Sequence, residues 1–210
     1  MQTLEAQARR LKATSMGSMV PRLWLVSDPL RLPNPRAAAA RLPPGSAVVA
    51  RGLAPAVLWG LARLARQRRL KLMVAGDGRL ALALAAGLHV PDRRGCPGLL
   101  AFLAAARPGA LLSVAVHGRP SLVRARRLRA DAALVSPAFA TASHPGARAL
   151  GPLRWAALAA GVPPGVAVVA LGGLSGPTAA RLPRPRLAGL AAIGALGGVT
   201  PEAGGGVAPE

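Results

Sequence analysis

The sequence contains one cysteine, no tyrosine and two phenylalanines, and aromatic residues make up only 2% of its 210 positions. A single cysteine excludes a disulfide framework and a cysteine-built zinc site, which fits a reducing cytoplasm. Cys96 is expected to be a buried or incidental thiol. With Phe102, Phe139, Trp24, Trp59 and Trp155 as the whole aromatic set, the core must be built from Ala, Leu and Val through many small contacts. Such cores suit helices laid against a parallel sheet. No run reaches the ~18 uninterrupted apolar residues of a membrane span. The basic residues Arg9, Arg10 and Lys12 are followed by no apolar stretch of the kind a secretory signal needs.

Acidic residues are scarce as well: 7 Asp and Glu stand against 27 Lys and Arg, a formal charge of +20. Clustered cations supply most of the affinity of nucleic-acid binders. Here the charge is scattered, only Lys12 and Lys71 are lysines, and stacking aromatics are rare, so compositional drift explains it better. No nucleic-acid and no membrane partner is expected.

What the chain does have is alternation. Short apolar runs recur between Ala/Leu/Arg stretches of helical spacing, the pattern of βα units around a parallel sheet. Strands are expected at Leu23 to Val26, Ala47 to Ala50, Leu70 to Ala75, Gly87 to Val90, Ala110 to Val116, Ala132 to Val135, Val166 to Leu171 and Leu187 to Ile193. Helices are expected at Arg36 to Arg41, Ala56 to Arg68, Leu80 to Ala86, Leu99 to Ala106, Ser121 to Leu128, Leu153 to Ala160 and Pro177 to Leu182. Eight strands with seven intervening helices fit one closed α/β barrel of the (β/α)8 (TIM) kind, which also removes edge strands. The barrel should occupy residues 20–197, after a flexible arm or overlong start at 1–19 and before a disordered tail at 198–210.

In such a barrel function resides on the loops that follow the strands. The longest runs Ser136-Pro137-Ala138-Phe139-Ala140-Thr141-Ala142-Ser143-His144-Pro145-Gly146. Its hydroxyls and histidine suit a loop wrapped around an anion, although Ser and Thr equally serve local backbone. Leu171-Gly172-Gly173-Leu174-Ser175 joins the seventh strand to a helix, where paired glycines and free amides favour phosphate, or simply make a tight turn. Ala192-Ile193-Gly194-Ala195 follows the eighth strand, the other customary wall of a barrel phosphate site. Asp77, beside Gly76 and Gly78, is open to two readings, turn residue and metal ligand. His89 within a strand reads as a packed core residue, whereas His117 at a strand's end is better placed to act. Arg51, directly after the second strand, is the arginine best placed for a ligand. Arg124, Arg126, Arg127 and Arg129 read as a solvated helical face.

Taken in order, Leu72-Met73-Val74-Ala75-Gly76-Asp77, Ala85-Ala86-Gly87-Leu88-His89-Val90, the loop from Ser136 to Gly146 and Val169-Ala170-Leu171-Gly172-Gly173-Leu174 resemble the motifs of the thiamine phosphate synthase and thiazole tautomerase (TenI) superfamily. The resemblance runs from about Leu23 to Leu196 and implies a barrel that handles phosphorylated small molecules, with a homodimer plausible. In the synthase, hydroxymethylpyrimidine diphosphate ionises with magnesium assistance, and a thiazole phosphate traps the pyrimidine cation with release of pyrophosphate. By position the resemblance implies Mg²⁺ on Asp77 and Asp92, Arg51 facing pyrophosphate and His117 in catalysis. It implies Thr141, Ser143, His144, Gly172, Gly173, Ile193 and Gly194 around substrate phosphate.

The chain departs from the family pattern in three places. His144 stands for a lysine, Ala115 for a serine, and Gly76-Asp77 for an Asn-Asp pair. These departures keep a second reading open, a barrel that binds the phosphorylated thiazole without transferring anything. A tautomerase is the other alternative, but Pro137 occupies the position where that subfamily places its histidine.

Overall fold

The computed structural model describes residues 3–11, 20–92, 95–141 and 149–197. Eight parallel strands pair in chain order and close on themselves: β1 (Leu23–Val26), β2 (Ala47–Ala50), β3 (Lys71–Ala75), β4 (Gly87–Val90), β5 (Leu112–Val116), β6 (Ala132–Val135), β7 (Ala167–Leu171) and β8 (Leu187–Ala192). Leu23 meets Leu190 and Trp24 meets Ala191 where β1 joins β8. The expected single (β/α)8 barrel is the observed fold. Helix α1 (Leu4–Arg9) precedes the first strand and α9 (Gly194–Gly197) follows the last. Between the strands run α2 (Arg36–Ala40), α3 (Pro55–Gln67), α4 (Gly78–Ala83), α5 (Leu99–Ala105), α6 (Arg119–Arg127), α7 (Gly151–Ala160) and α8 (Gly176–Ala180). No described helix is long and apolar enough to cross a membrane.

The strands are continuous apolar runs because both their faces are buried, as helix-covered parallel sheets require. Successive side chains point to opposite faces. Trp24, Val26, Val49, Met73, Leu134 and Val169 fill the barrel interior, while Leu25, Val48, Val74, Leu88, Val114 and Leu190 meet the helices outside. Two indoles act as fixed points. Trp24 is fully buried among Ala47, Ala132, Ala167 and Ala188, and its Nε1 donates to the carbonyl of Pro21 at 2.6 Å. Trp155, equally buried, fastens α7 to the barrel by donating to Val135 O at 3.2 Å.

Several boundaries differ from the sequence expectation, and caps explain them. Helix α4 starts at Gly78 rather than Leu80 because the Asp77 carboxylate accepts the Leu80 amide at 2.9 Å, a side-chain N-cap. Helix α6 starts at Arg119, not Ser121, because Pro120 suits the first turn and Ser121 Oγ accepts the amides of His117 and Gly118 at 3.1 and 3.2 Å.

Part of the arm expected at 1–19 is helical. Thr3 Oγ1 accepts the Ala6 amide at 3.1 Å, and Leu4, Ala8 and Leu11 enter the main apolar cluster. These positions fall on one helical face. A helix as short as α1 holds only when such a face is docked, here against α8, with Gln7 Oε1 accepting from Arg184 Nη2 at 2.6 Å. The rest of the expected arm, 12–19, and the expected tail, 198–210, lie outside the described residues.

Candidate active site

Parallel closure brings every strand's C-terminal end to one rim. Arg51, Asp77, Asp92 and His117 follow β2, β3, β4 and β5 by one or two residues, and Asp28, Ser136, Gly172 and Ile193 do the same after β1, β6, β7 and β8. Arg51, Asp77, Asp92, His117, Gly172 and Ile193 therefore share the rim although they span most of the chain.

The first feature of this rim is a cross-strand clamp. Asp28 is buried, and its Oδ1 accepts the amides of Leu30 and Arg31, each at 3.1 Å, while Oδ2 pairs with Arg51 Nη2. Ser27 Oγ ties the same two loops, accepting from the Arg51 amide at 2.7 Å and donating to its carbonyl at 3.1 Å. Burial works against the Asp28 charge, but the two amides and the Arg51 guanidinium outweigh it and hold the carboxyl below its ordinary value. Asp28 thus both shapes a turn and anchors Arg51. The Arg51 side chain remains 41% exposed, so part of its fork faces outward.

Beneath the rim lies a buried pair. His89 Nδ1 and Ser113 Oγ share a hydrogen bond of 2.9 Å, and both residues are buried. Burial first, then the charges of Arg51, His117 and Arg124, push the His89 pKa down to about 4. His89 is a neutral, hydrogen-bonded core residue, in line with the structural reading of its sequence position, and it lies within electrostatic reach of the rim cations. Ser113 was not singled out in the sequence. Its signal was position, since it faces inward two residues before Ala115, where the family pattern would place its serine.

The His89 shift has a measurable consequence. The unfolded chain takes up a proton near the ordinary histidine pKa of ~6.5, whereas the folded chain resists until about 4. Stability from this group is therefore complete above the unfolded value and is lost as pH falls through that window. The loss by pH 4 should approach about 3 kcal/mol. Chemical denaturation of wild type and His89→Gln at stepped pH should show the slope in the first and a flatter profile in the second.

His117 is held from two sides. Its amide is bonded to Ser121 Oγ, and its Nδ1 lies 2.9 Å from the Ser136 carbonyl and 3.2 Å from Ser136 Oγ. A carbonyl oxygen only accepts, so Nδ1 carries hydrogen and the lone pair of the neutral ring sits on Nε2.

The acidic half of the rim is engaged internally. Asp77 caps α4 through Oδ1. The Asp92 carboxylate and carbonyl oxygens both accept from the Arg124 guanidinium, which also reaches Ala115 O at 3.4 Å. Arg124 is thus not part of the solvated face expected for α6: it is only 27% exposed and fixes the β4 loop to β5. Magnesium is usually held by one or two carboxylates together with water and substrate phosphates. Among the described residues no three His, Cys, Asp or Glu groups come together to hold an ion. Asp77 Oδ1 is committed to capping a helix and Asp92 Oδ1 to an arginine, so a Mg²⁺ ion on these two residues would draw on their second oxygens together with substrate phosphate. Asp131 is structural, accepting the Leu112 amide at 2.7 Å. Burial and the Asp77 charge raise the Cys96 pKa, against a hydrogen bond from Gly78, which keeps the lone thiol un-ionised.

On the far side of the rim the glycine turn after β7 is zipped to the β6 loop. Ala138 N donates to Leu171 O at 2.9 Å and Phe139 N to Gly172 O at 3.1 Å. A Cβ on Gly173, whose φ is +62°, would lie 2.3 Å from Ala140 O and 2.8 Å from Phe139 Cβ. Close backbone approach is why glycine stands here, and the partner it approaches is protein. Ser175 caps α8 reciprocally with Thr178, and Arg181 lies 5.5 Å from the Phe139 ring centroid. Thr141 is half-buried at the end of this loop; Ser143 and His144 lie outside the described residues. Ile193 packs partly into both apolar clusters, and Gly194 opens α9.

A family model described as thiamine monophosphate synthase matches residues 56–196. The chain belongs to that family. The matched stretch includes Asp77, His89, Asp92, His117 and the glycine turn, while Asp28 and Arg51 precede it. Among solved structures, the thiamine phosphate pyrophosphorylase from Pyrococcus furiosus superposes with a TM-score of 0.66 at 21% identity, over 85% of this chain and 89% of that one. FabK from Thermotoga maritima superposes with a TM-score of 0.63 at 13% identity, over 89% of this chain and 62% of that one. At such identities these likenesses speak to the barrel alone. No curated protein matches in sequence. For a thiamine monophosphate synthase family member, the rim described above is where substrates would meet.

Proposed function

We propose that the chain joins hydroxymethylpyrimidine diphosphate to a thiazole phosphate, giving thiamine phosphate and pyrophosphate. In this reaction the carbon–oxygen bond to the diphosphate breaks, and the thiazole ring nitrogen supplies the electron pair for the new carbon–nitrogen bond. The transition state separates charge, so it is stabilised by fixed cations facing the departing diphosphate. The observation that carries the reading is the Asp28–Arg51 clamp, a half-exposed guanidinium held in place at the rim of a barrel of this family. Guanidinium groups pair with phosphate oxygens in a planar fork. His117, with its lone pair on Nε2, supplies a proton acceptor beside the same rim. The amides of the Gly172–Gly173 turn and of Gly194 are proposed to receive the thiazole phosphate.

A second reading, binding without transfer, is favoured by the engagement of both rim carboxylates after β3 and β4. Pyrophosphate release separates the two. Assayed with and without Mg²⁺, wild type should release pyrophosphate only when both substrates and the metal are present. Arg51→Met should lower the rate by about a hundredfold or more, and Arg51→Lys should recover part of it. Asp77→Asn keeps a good helix cap: if its activity is unchanged, Asp77 serves α4 alone. No release while thiazole phosphate still binds would leave the barrel a binding protein.

A further inference from the structure

Away from the rim, the outer face of α3 carries a groove of about 350 Å³ lined by Arg36, Ala56, Trp59, Gly60, Arg63 and Arg66. Positions 56, 59, 63 and 66 form one stripe along the helix, opposite the buried stripe of Leu58, Leu61, Ala62 and Ala65. Trp59 is the anomaly in this face. The other two tryptophans are fully buried, whereas Trp59 is 55% exposed. Aromatic surface is scarce in this chain, and here it lies open to solvent beside three guanidinium groups. None of the three takes part in either ion pair found among the described residues, Arg51 with Asp28 and Arg124 with Asp92. Arg36 reaches across from α2 and lies over Gly60: a Cβ there would come within 2.9 Å of its Nη1, while its Nε is steadied by Asn34 Oδ1 at 3.1 Å.

An uncompensated cluster of cations attracts an anion, and an open indole offers a flat apolar face for stacking. An apolar partner surface would have to strip water from three charged groups without replacing their hydrogen bonds. A ligand with a planar ring and a phosphate satisfies both halves of the groove at once. We propose that the α3 groove binds a nucleotide unit, its base stacked on Trp59 and its phosphate held by Arg36, Arg63 and Arg66. The unit is either a free nucleotide or part of a single-stranded chain. Scarcity of aromatics in the composition argued against such a partner, but the placement of this one residue argues for it. The groove is separate from the rim and does not depend on the transfer reaction.

Trp59 is also the reporter, since it is the exposed one of the three indoles. Tryptophan emission of the full chain should be titrated with adenosine triphosphate, a short single-stranded oligodeoxynucleotide and inorganic pyrophosphate, at low and raised salt. Saturable quenching by the first two is expected. Tighter binding of the oligonucleotide with a steep salt dependence identifies the polymer as the source of the unit, and equal binding identifies the free nucleotide. By anisotropy with labelled ligands, Trp59→Leu and the double variant Arg63→Gln/Arg66→Gln should each bind at least roughly tenfold more weakly, whereas Arg107→Gln, at an exposed position after α5, should bind as wild type. All three substitutions on α3 are at exposed positions, so the fold is retained. Unchanged affinity in Trp59→Leu, quenching by pyrophosphate equal to that by nucleotide, or no saturable response to any of the three overturns the proposal.

Discussion

Replacing Trp24 by alanine lowers the unfolding free energy by about 4 kcal/mol, the cost expected of removing a fully buried tryptophan. The neighbours cannot collapse into the space. Ala47, Ala132, Ala167 and Ala188 of the same interior cluster are already small and sit on the barrel strands, so the cavity persists. The Pro21 carbonyl also loses its donor. Natural domains have about 5–15 kcal/mol of stability in all, so this change consumes much of it. Trp59→Ala is the matched control: the same atoms are deleted from a site 55% exposed, and a change within about 0.5 kcal/mol is expected. Guanidinium-chloride midpoints of the two variants test the contrast directly. Equal losses would mean that Trp24 does not hold the barrel interior.

Gly173→Ala should cost about 3 kcal/mol or more, from two sources that a second substitution separates. The first is conformational. At φ +62° a side chain adopts the left-handed region, at roughly 1–2 kcal/mol. The second is collision with the Ala140 carbonyl and Phe139, both in a loop held by backbone hydrogen bonds. Gly165 shares the backbone conformation, at φ +83°, but a Cβ there meets nothing within 4 Å. Gly165→Ala should therefore show the conformational part alone, about 1 kcal/mol. The difference between their denaturation midpoints measures how tightly the β7 turn is locked to the β6 loop. Because that turn is also a proposed phosphate contact, Gly173→Ala should weaken thiazole phosphate binding, and Gly165→Ala should not.

The strands were legible because each is a short, mainly apolar run followed within two residues by Ser, Gly, Pro or a charged residue, and because two-sided burial suppresses alternation. Helix starts were less legible, since Asp77 and Ser121 act as caps only through hydrogen bonds to particular amides. Helix α1 left a signal in Leu4, Ala8 and Leu11, but so short a pattern means little until α8 is there to receive it. The rim divides along the same line. Arg51 and His117 could be named from their positions after strands, and Asp77 and Asp92 from the family resemblance. What each is bonded to could not: Asp28 lies 23 positions from Arg51, and Asp92 lies 32 from Arg124. These pairings make Asp28 and Asp92 anchors for arginines. A long-range contact of this kind depends on the closed barrel and has no local pattern.

Of the eight strand pairs, seven join strands adjacent in the chain, and only β1 with β8 joins its two ends. The barrel has no structurally privileged first strand. Its order is cyclic, and the place where the peptide is interrupted is a matter of where the break was made. A circular permutant could open the chain in the turn before β2 at Gly45, where a Cβ would meet nothing within 4 Å, and link the segment after β8 to the one before β1. The same eight registers would then form with one former long-range pair made local. Since topology sets folding speed through the separation of its contacts, such a rearrangement would move the slow closure step from one side of the barrel to another and leave the finished rim unaltered.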